Sequence, residues 1–213
     1  MKMFEWKRNL ILRAAMRALV LTLVATLASP AYERPLSSES IREAYFFGRR
    51  RDEKLAAFLT QYVKRLPPPK TGPYVAEVEV RTPYQQAVSR ARVAPEGYSA
   101  QQAEADYRSR RELVFVRVRI NVPPAYIPAT GTGGDLRPSE FWRDFSIQLV
   151  QAERALEPTK VNGRSLYSRR SLIGAEVDLE FDAAQVDSAP ARVQVSTPDG
   201  QHVTVEFELE KIR

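Results

Sequence analysis

The stretch LIGAEVDLEFDAAQ at residues 172–185 decides the fold, because apolar and acidic side chains alternate along it. One face would carry Ala175, Val177, Leu179 and Phe181, and the other Glu176, Asp178, Glu180 and Asp182. A period of two is typical of a strand with one buried and one exposed face. We therefore predict a half-exposed strand with an acidic outer face.

The next stretch, ARVQVSTPDGQHVTVEFELE at residues 191–210, predicts a β-hairpin. Apolar residues alternate on both sides of Pro198, Asp199 and Gly200. Asp-Gly after a proline is a strong turn signal. Two further antiparallel strands should therefore close the chain.

Three earlier segments also have the pattern of strands: residues 76–80, 113–122 and 145–149. In the second of these, Arg117 and Arg119 share the face opposite the valines. We expect the two arginines to pair with the acidic face of 172–185 if those strands are neighbours. Two short helices separate the first two strands, with Thr82 and Ser99 as their N-caps and Gln85 and Gln102 three residues on.

The segment 38–66 has a helical pattern, since apolar residues recur at steps of three and four. Ser40 is the predicted N-cap. We favour one continuous helix over two helices that break at Gly48 and restart at Asp52. Its aromatic residues are expected to pack on the sheet rather than to form a partner or lipid surface: Tyr45, Phe46, Phe47, Phe58 and Tyr62.

These patterns predict an α+β protein that is mainly β. An N-terminal helical segment at 32–70 would pack on an antiparallel, β-sandwich-like domain at 71–213 that contains the two short helices. An immunoglobulin-like arrangement is one form that such a domain takes.

Residues 1–31 have the order of a signal peptide: a basic start, an uncharged apolar run at 18–28 and small residues after it. Cleavage after Ala28 or after Ala31 satisfies the pattern equally. The apolar run is about half the length that a membrane-spanning helix needs. We expect an exported protein, periplasmic or secreted, with an uncleaved inner-membrane signal anchor as the alternative.

The net charge and the cysteine content exclude some classes of function. The formal charge of +6 falls to +2 without residues 1–31, so the basic pI does not indicate nucleic-acid binding. The chain has no cysteine, which excludes disulfides and thiolate chemistry. Contact with a membrane is expected only if the N-terminal segment is retained.

The proline- and glycine-rich segment 123–138 is predicted to be a long loop and is the best candidate for a partner-binding site. Its sequence GTGGD lacks the lysine and hydroxyl residue of a phosphate-binding loop. Trp142 follows it, either as a core residue, which we favour, or as an exposed platform for a ring-shaped ligand. The candidate residues are Tyr126, Gly131, Gly133, Gly134, Asp135 and Trp142.

No pattern in the sequence indicates catalysis, a cofactor or a metal site. The single histidine, His202, lies among outward-facing residues of a predicted strand. The period-two carboxylates of 176–182 have the spacing of an exposed strand face and not that of a calcium loop.

Four stretches, SESIREAYFFGRRRDEK, YSAQQAEADYRS, FWRDF and LIGAEVDLEFDAAQVDSAPARVQVSTPDGQ, together resemble a family of uncharacterised exported proteins associated with acidobacteria. The resemblance spans most of residues 32–213. It implies export and a helix-then-sheet order, and it implies no activity and no site residue.

The leading hypothesis is an exported, non-enzymatic binding or structural protein of the cell envelope, with an envelope protein or polymer as its partner. A membrane-anchored accessory or assembly factor and a carboxylate-dependent hydrolase are the two alternatives. The hydrolase predicts acidic groups that converge in a pocket. The accessory factor predicts an uncovered aromatic helix face.

Overall fold

The computed structural model describes residues 32–69, 71–123, 138–169 and 171–213. The predicted signal peptide and nearly all of the predicted loop lie outside these ranges. Within them, four α-helices and nine strands follow one another: α1 Ser38–Gly48, α2 Glu53–Thr60, β1 Val63–Arg65, β2 Tyr74–Arg81, α3 Pro83–Val93, α4 Ala100–Arg108, β3 Leu113–Asn121, β4 Ser146–Gln151, β5 Arg154–Leu156, β6 Lys160–Ser168, β7 Ser171–Asp182, β8 Pro190–Ser196 and β9 His202–Glu208. Short 3-10 helices cover Pro138–Asp144, Ala183–Gln185 and Leu209–Lys211.

The strands form two antiparallel sheets, which confirms the α+β prediction at this level. The first sheet has the order β1-β2-β3-β7-β6, and the second has the order β5-β4-β8-β9. Alternate residues of both sheets are buried and belong to one hydrophobic cluster, as with Val118 of β3, Val177 of β7 and Val193 of β8. The alternation of 172–185 is confirmed, since Ala175, Val177, Leu179 and Phe181 are all at most 2% exposed.

The outer face of the five-stranded sheet carries charges whose sign alternates from strand to strand. One row crosses all five strands: Arg65 of β1, Glu77 of β2, Arg119 of β3, Glu176 of β7 and Arg164 of β6. In the next row Glu79, Arg117 and Asp178 are opposite one another. The predicted pairing of the arginines with the acidic face of β7 is thus confirmed by the register.

The Arg117–Asp178 ion pair joins the guanidinium to both oxygens of one carboxylate. The Arg117 guanidinium donates to both carboxylate oxygens of Asp178, at 2.8 and 3.1 Å. The hydrogen bond to Asp178 raises the pKa of Arg117. Arg81, at the end of β2, also reaches Asp178, at 3.1 Å, and its guanidinium lies 5.1 Å from the centre of the Phe115 ring.

The N-terminal segment contains two helices, so the prediction of one continuous helix is wrong. Helix α1 ends at Gly48, where an added Cβ would lie 2.3 Å from the Val88 carbonyl oxygen of α3. The chain then turns, and Asp52 caps α2 by accepting from the Leu55 N–H at 3.2 Å. The close packing of α1 on α3 and a second strong cap together outweigh the helix propensity of the residues between them.

Two details of the same segment also differ from prediction. The N-cap of α1 is Ser37, whose hydroxyl accepts from the Ser40 N–H at 3.1 Å, and not Ser40 itself. The chain leaves the helical conformation before residue 63, because β1 pairs with β2 and extends the sheet. The predicted caps Thr82 and Ser99 are confirmed, and Ser99 forms a complete capping box with Gln102.

The helices pack around a second hydrophobic cluster that includes Ile41, Tyr84 and Val88. Phe58 contacts both clusters. Its ring centre lies 5.1 Å from that of Phe47 in α1, 5.0 Å from that of Tyr62 and 5.9 Å from that of Tyr84. Phe58 and Tyr62 therefore pack on the sheet as predicted. The prediction fails for the other three aromatic residues, because Phe47 packs among the helices, Tyr45 packs on Tyr98 and Phe46 is 65% exposed.

Candidate functional site

An apolar cleft of about 380 Å³ opens beside Trp142, between the short helix Pro138–Asp144 and strands of both sheets. We call it the Trp142 cleft. Its lining residues come from that helix, from β4 and the residues around it, and from β6 and β7: Trp142, Arg143, Phe145, Ile147, Pro158, Val161, Val177 and Leu179.

The Trp142 indole packs directly against Gly163 of β6. A Cβ added to Gly163 of β6 would lie 2.2 Å from two ring carbons of the indole. Ordinary contacts between carbon atoms are about 3.5–4.0 Å, so only glycine lets the indole lie this close to β6. The prediction of Trp142 as a core residue is confirmed in part, because the side chain is half-buried and packs on the core while it also lines the cleft.

The cleft reaches from the surface into the core. Its inner residues Val177 and Leu179 are 1% and 2% exposed, whereas Val161 is 45% exposed. Val161 is thus an exposed apolar residue in the lining of a cavity. A ligand that entered here would replace water on apolar side chains and would touch residues of the protein core.

Two residues of the lining carry a polar group. The Trp142 indole N–H is buried and has no hydrogen-bond partner among the described residues. Arg143 lies with its guanidinium 5.3 Å from the centre of the Trp142 ring and is paired with Glu140 at 3.3 Å. Because the indole nitrogen has essentially no accessible surface, its N–H is not open to a ligand in the cleft.

The other candidate residues of the predicted loop, Tyr126, Gly131, Gly133, Gly134 and Asp135, lie outside the described residues. The structure therefore brings only Trp142 of the predicted set into a site. The rest of the lining was not singled out from sequence. Its residues are distant in the chain and meet only because β6, β7 and the short helix pack together.

His202 lies at the start of β9 and is exposed, as predicted. Its Nδ1 is 2.9 Å from the Ser196 hydroxyl, and no carboxylate in the described ranges bonds to its ring. A triad needs such a carboxylate to orient the base. This pair therefore lacks the arrangement that would activate the serine.

One shallow pocket brings two acidic residues together, Glu112 and Asp182, beside Arg34 and Arg111. Asp182 accepts from the Ala184 N–H at 2.9 Å and from Arg111 at 2.6 Å, and these bonds lower its pKa. Glu112 accepts from the Tyr107 hydroxyl and from the Leu36 N–H. A general acid needs a raised pKa, so the state of Asp182 does not fit the acid of a carboxylate-dependent hydrolase.

The carboxylates on the acidic face of β7 are held in ion pairs. Asp178 bonds to Arg117, Glu180 lies 3.8 Å from Lys160, and Asp182 pairs with Arg111. No group of three or more potential metal ligands occurs among the residues with described positions. Over the same ranges, no helix is both long enough and apolar enough to cross a bilayer.

Comparison with known proteins adds no family: no family model matches the chain, and no curated protein matches it. The assignment of a function therefore rests on the residues of the site.

Proposed function

We propose that the protein is an exported, non-enzymatic binding protein of the cell envelope, and that it binds an apolar group of its ligand in the Trp142 cleft. The single observation that carries the proposal is the depth of the cleft. An apolar opening that leads to the core residues Val177 and Leu179 resembles a ligand pocket more than an ordinary surface depression.

The frame that we propose around the cleft is a β-sandwich-like pair of sheets, of which the immunoglobulin-like type is one form. The shared hydrophobic cluster of the two sheets supports this interpretation. Such frames serve recognition in many proteins, and that step of the argument is an analogy of fold.

The lining favours binding over catalysis. The eight described residues that line the cleft include no histidine, carboxylate, hydroxyl or amine side chain. The volume of about 380 Å³ falls within the range of small-molecule pockets, about 300–1,000 Å³. We infer a ligand with a ring or a short aliphatic chain.

Tryptophan fluorescence tests the proposal directly. The chain has two tryptophans, and replacing Trp6 by phenylalanine leaves Trp142 as the only one. Decanoate and phenylacetate serve as an aliphatic and an aromatic probe, each added to the Trp6→Phe protein. We expect either probe to shift or quench the Trp142 emission with saturation.

A pair of surface variants supplies the control. Val161→Glu puts a charge in the lining of the cleft, whereas Ile173→Glu puts one on a similarly exposed apolar residue that does not line it; the two residues are 45% and 40% exposed. We expect only Val161→Glu to weaken binding. Equal effects of the two variants, or no saturable response to either probe, would contradict the proposal.

Export is tested separately by the intact mass of the protein from fractionated cells. A mass that lacks the first 28 or 31 residues, in the soluble envelope or the medium, is the expected result. Full-length protein in the membrane fraction would instead support the anchored accessory factor. That alternative also needs an uncovered aromatic face, and Tyr62 is fully buried.

A further inference from the structure

A small pocket lies between α3, the end of α4 and the start of β3. Its volume is about 40 Å³, and one water needs at least about 10–15 Å³ in the same measure, so the pocket has room for about three waters. It shares no lining residue with the Trp142 cleft. We call it the Arg90 pocket, and the polar residues described in its lining are Gln86, Arg90, Tyr107, Arg110, Arg111 and Glu112.

Two segments of the chain bring arginines to this pocket. Arg90 lies four residues after Gln86 on α3, so the two side chains share one face of the helix. Arg110 and Arg111 lie in the short connection between α4 and β3. The positive charges of the pocket therefore come from both of its sides, the helix face and the connection.

Only one of the three arginines is neutralised by a carboxylate. Arg111 donates to Asp182 at 2.6 Å. Neither the Arg90 nor the Arg110 guanidinium forms a hydrogen bond or an ion pair with any residue that the structure describes. The side-chain donors of Arg90 and Arg110 are therefore available to water or to a ligand.

The carboxylates near the two free guanidinium groups have other partners. Glu112 accepts from the Tyr107 hydroxyl and from a backbone N–H at 3.2 Å. Asp106 acts on Arg90 only at longer range, and it accepts from the Tyr98 hydroxyl at 2.8 Å. An anion in the pocket would thus meet one carboxylate of the lining, Glu112, whose charge two donors already stabilise.

The surroundings of Arg90 disfavour its positive charge. The residue is only partly exposed, and burial lowers the pKa of its guanidinium. The positive charge of Arg110 lowers the pKa of Arg90 further. A negative charge between the two arginines would offset both effects.

We propose that the Arg90 pocket binds a phosphate group, which accepts hydrogen bonds from the guanidinium groups of Arg90 and Arg110. A guanidinium offers two parallel N–H donors to such an oxyanion. Two unpaired positive charges match a phosphate dianion better than a carboxylate, which has a single charge. The small volume suits the phosphate group alone, so the rest of any larger molecule that carries it would lie outside the pocket.

Titration calorimetry tests the proposal on protein purified in a chloride buffer after expression of the full chain. Inorganic phosphate, glycerol 3-phosphate and acetate are the three probes, each added at constant ionic strength. We expect saturable binding of inorganic phosphate and weaker binding of acetate. If glycerol 3-phosphate binds as well as inorganic phosphate, the site takes the phosphate group of a larger molecule; if inorganic phosphate binds alone, free phosphate is the ligand.

Matched variants locate the binding site. Arg90→Gln and Arg110→Gln each remove a guanidinium of the pocket, whereas Arg92→Gln and Arg51→Gln each remove an exposed one outside it. A hydrogen bond to a charged group is worth about tenfold or more in affinity, so each pocket variant should bind phosphate at least about tenfold more weakly. The two control variants should bind it as the parent does, and far-ultraviolet circular dichroism checks that all four are folded.

The Nε–Hε signals of the arginine side chains in ¹H–¹⁵N NMR spectra give a second readout on the parent protein. Phosphate should shift the signals of Arg90 and Arg110 with one common midpoint. The signal of Arg92 should stay where it is, because that side chain does not line the pocket.

Several results would overturn the proposal. One is the absence of saturation by phosphate up to about 10 mM. Others are binding of acetate as tight as that of phosphate, or equal losses in the pocket and control variants. Shifts of the Arg92 signal as large as those of Arg90 and Arg110 would show that phosphate only screens the surface charge.

Discussion

Replacing Gly163 by alanine tests the packing that builds the Trp142 cleft. The new Cβ would lie 2.2 Å from two carbons of the Trp142 ring, so the indole must move by more than 1 Å to restore ordinary contact. Overpacking of this kind costs about 1–3 kcal/mol. Removing a glycine from a strand gains back about 0.5–1 kcal/mol, so we expect a net loss of about 1–2 kcal/mol in the free energy of unfolding.

The sign of the effect should reverse when the indole is absent. A Trp142→Ala background removes the three atoms nearest to the new methyl group, all of them in the indole, and Gly163→Ala should then stabilise the protein by about 0.5–1 kcal/mol. Urea unfolding of the four proteins, followed by far-ultraviolet circular dichroism, completes the double-mutant cycle. Fluorescence of the single variant should also move to longer wavelength as the indole is displaced towards solvent.

The cycle can refute the reasoning clearly. If Gly163→Ala has the same effect with and without Trp142, the indole does not pack on this glycine in solution. The wall of the cleft would then be placed wrongly, and the binding proposal would lose its geometric basis.

The remaining predictions concern stability. Thr82 is fully buried, and its hydroxyl accepts from the Gln85 N–H and donates to the Arg213 carbonyl. Thr82→Ala should therefore lower the free energy of unfolding, measured in urea, by about 1–3 kcal/mol. The exposed cap variant Ser99→Ala should lower it by less, and an equal loss would refute the role of burial. Burial raises the pKa of Glu79 in the folded protein, so its contribution to stability is present below the unfolded pKa and is lost as the pH rises through the folded pKa. Glu79→Gln should therefore be at least as stable as the parent protein at neutral pH, and any gain in stability should vanish near pH 4. Asp178→Asn should be less stable than the parent at neutral pH, because it weakens the hydrogen-bond acceptor of Arg117 and Arg81. A loss of stability in Glu79→Gln at neutral pH would contradict this reasoning.

Sequence patterns predicted those elements that have one buried and one polar face. Strand β7 alternates regularly from Ala175 to Asp182 because its inner side packs in the core and its outer side pairs with basic residues of β3. The caps at Thr82 and Ser99 are local, since each acts on a backbone group three residues away, and such signals survive in any tertiary context.

Strand β6 was not predicted, and its position explains why. It lies at an edge, most of its side chains are exposed, and its glycine is required by a tryptophan 21 residues away. Nothing in its own sequence shows that it will be a strand. The break between α1 and α2 was missed for a similar reason, because the need for Gly48 comes from the Val88 carbonyl of another helix.

The candidate site could be predicted only in part. A large aromatic residue after a loop is a recognisable signal, and it pointed to Trp142. The cleft itself depends on the approach of residues 142, 163 and 177, which a linear pattern does not reveal.

Phe58 contacts both hydrophobic clusters, and this position affects how the protein unfolds. Helices that share no core with a sheet can open alone, at a fraction of the global free energy. Here the helical layer cannot separate without exposing a ring that also packs on Tyr62, in the core of the sheets. The helices and sheets should therefore unfold in one cooperative transition. Cleavage of the chain between residues 66 and 74 would yield two fragments, each with an incomplete core.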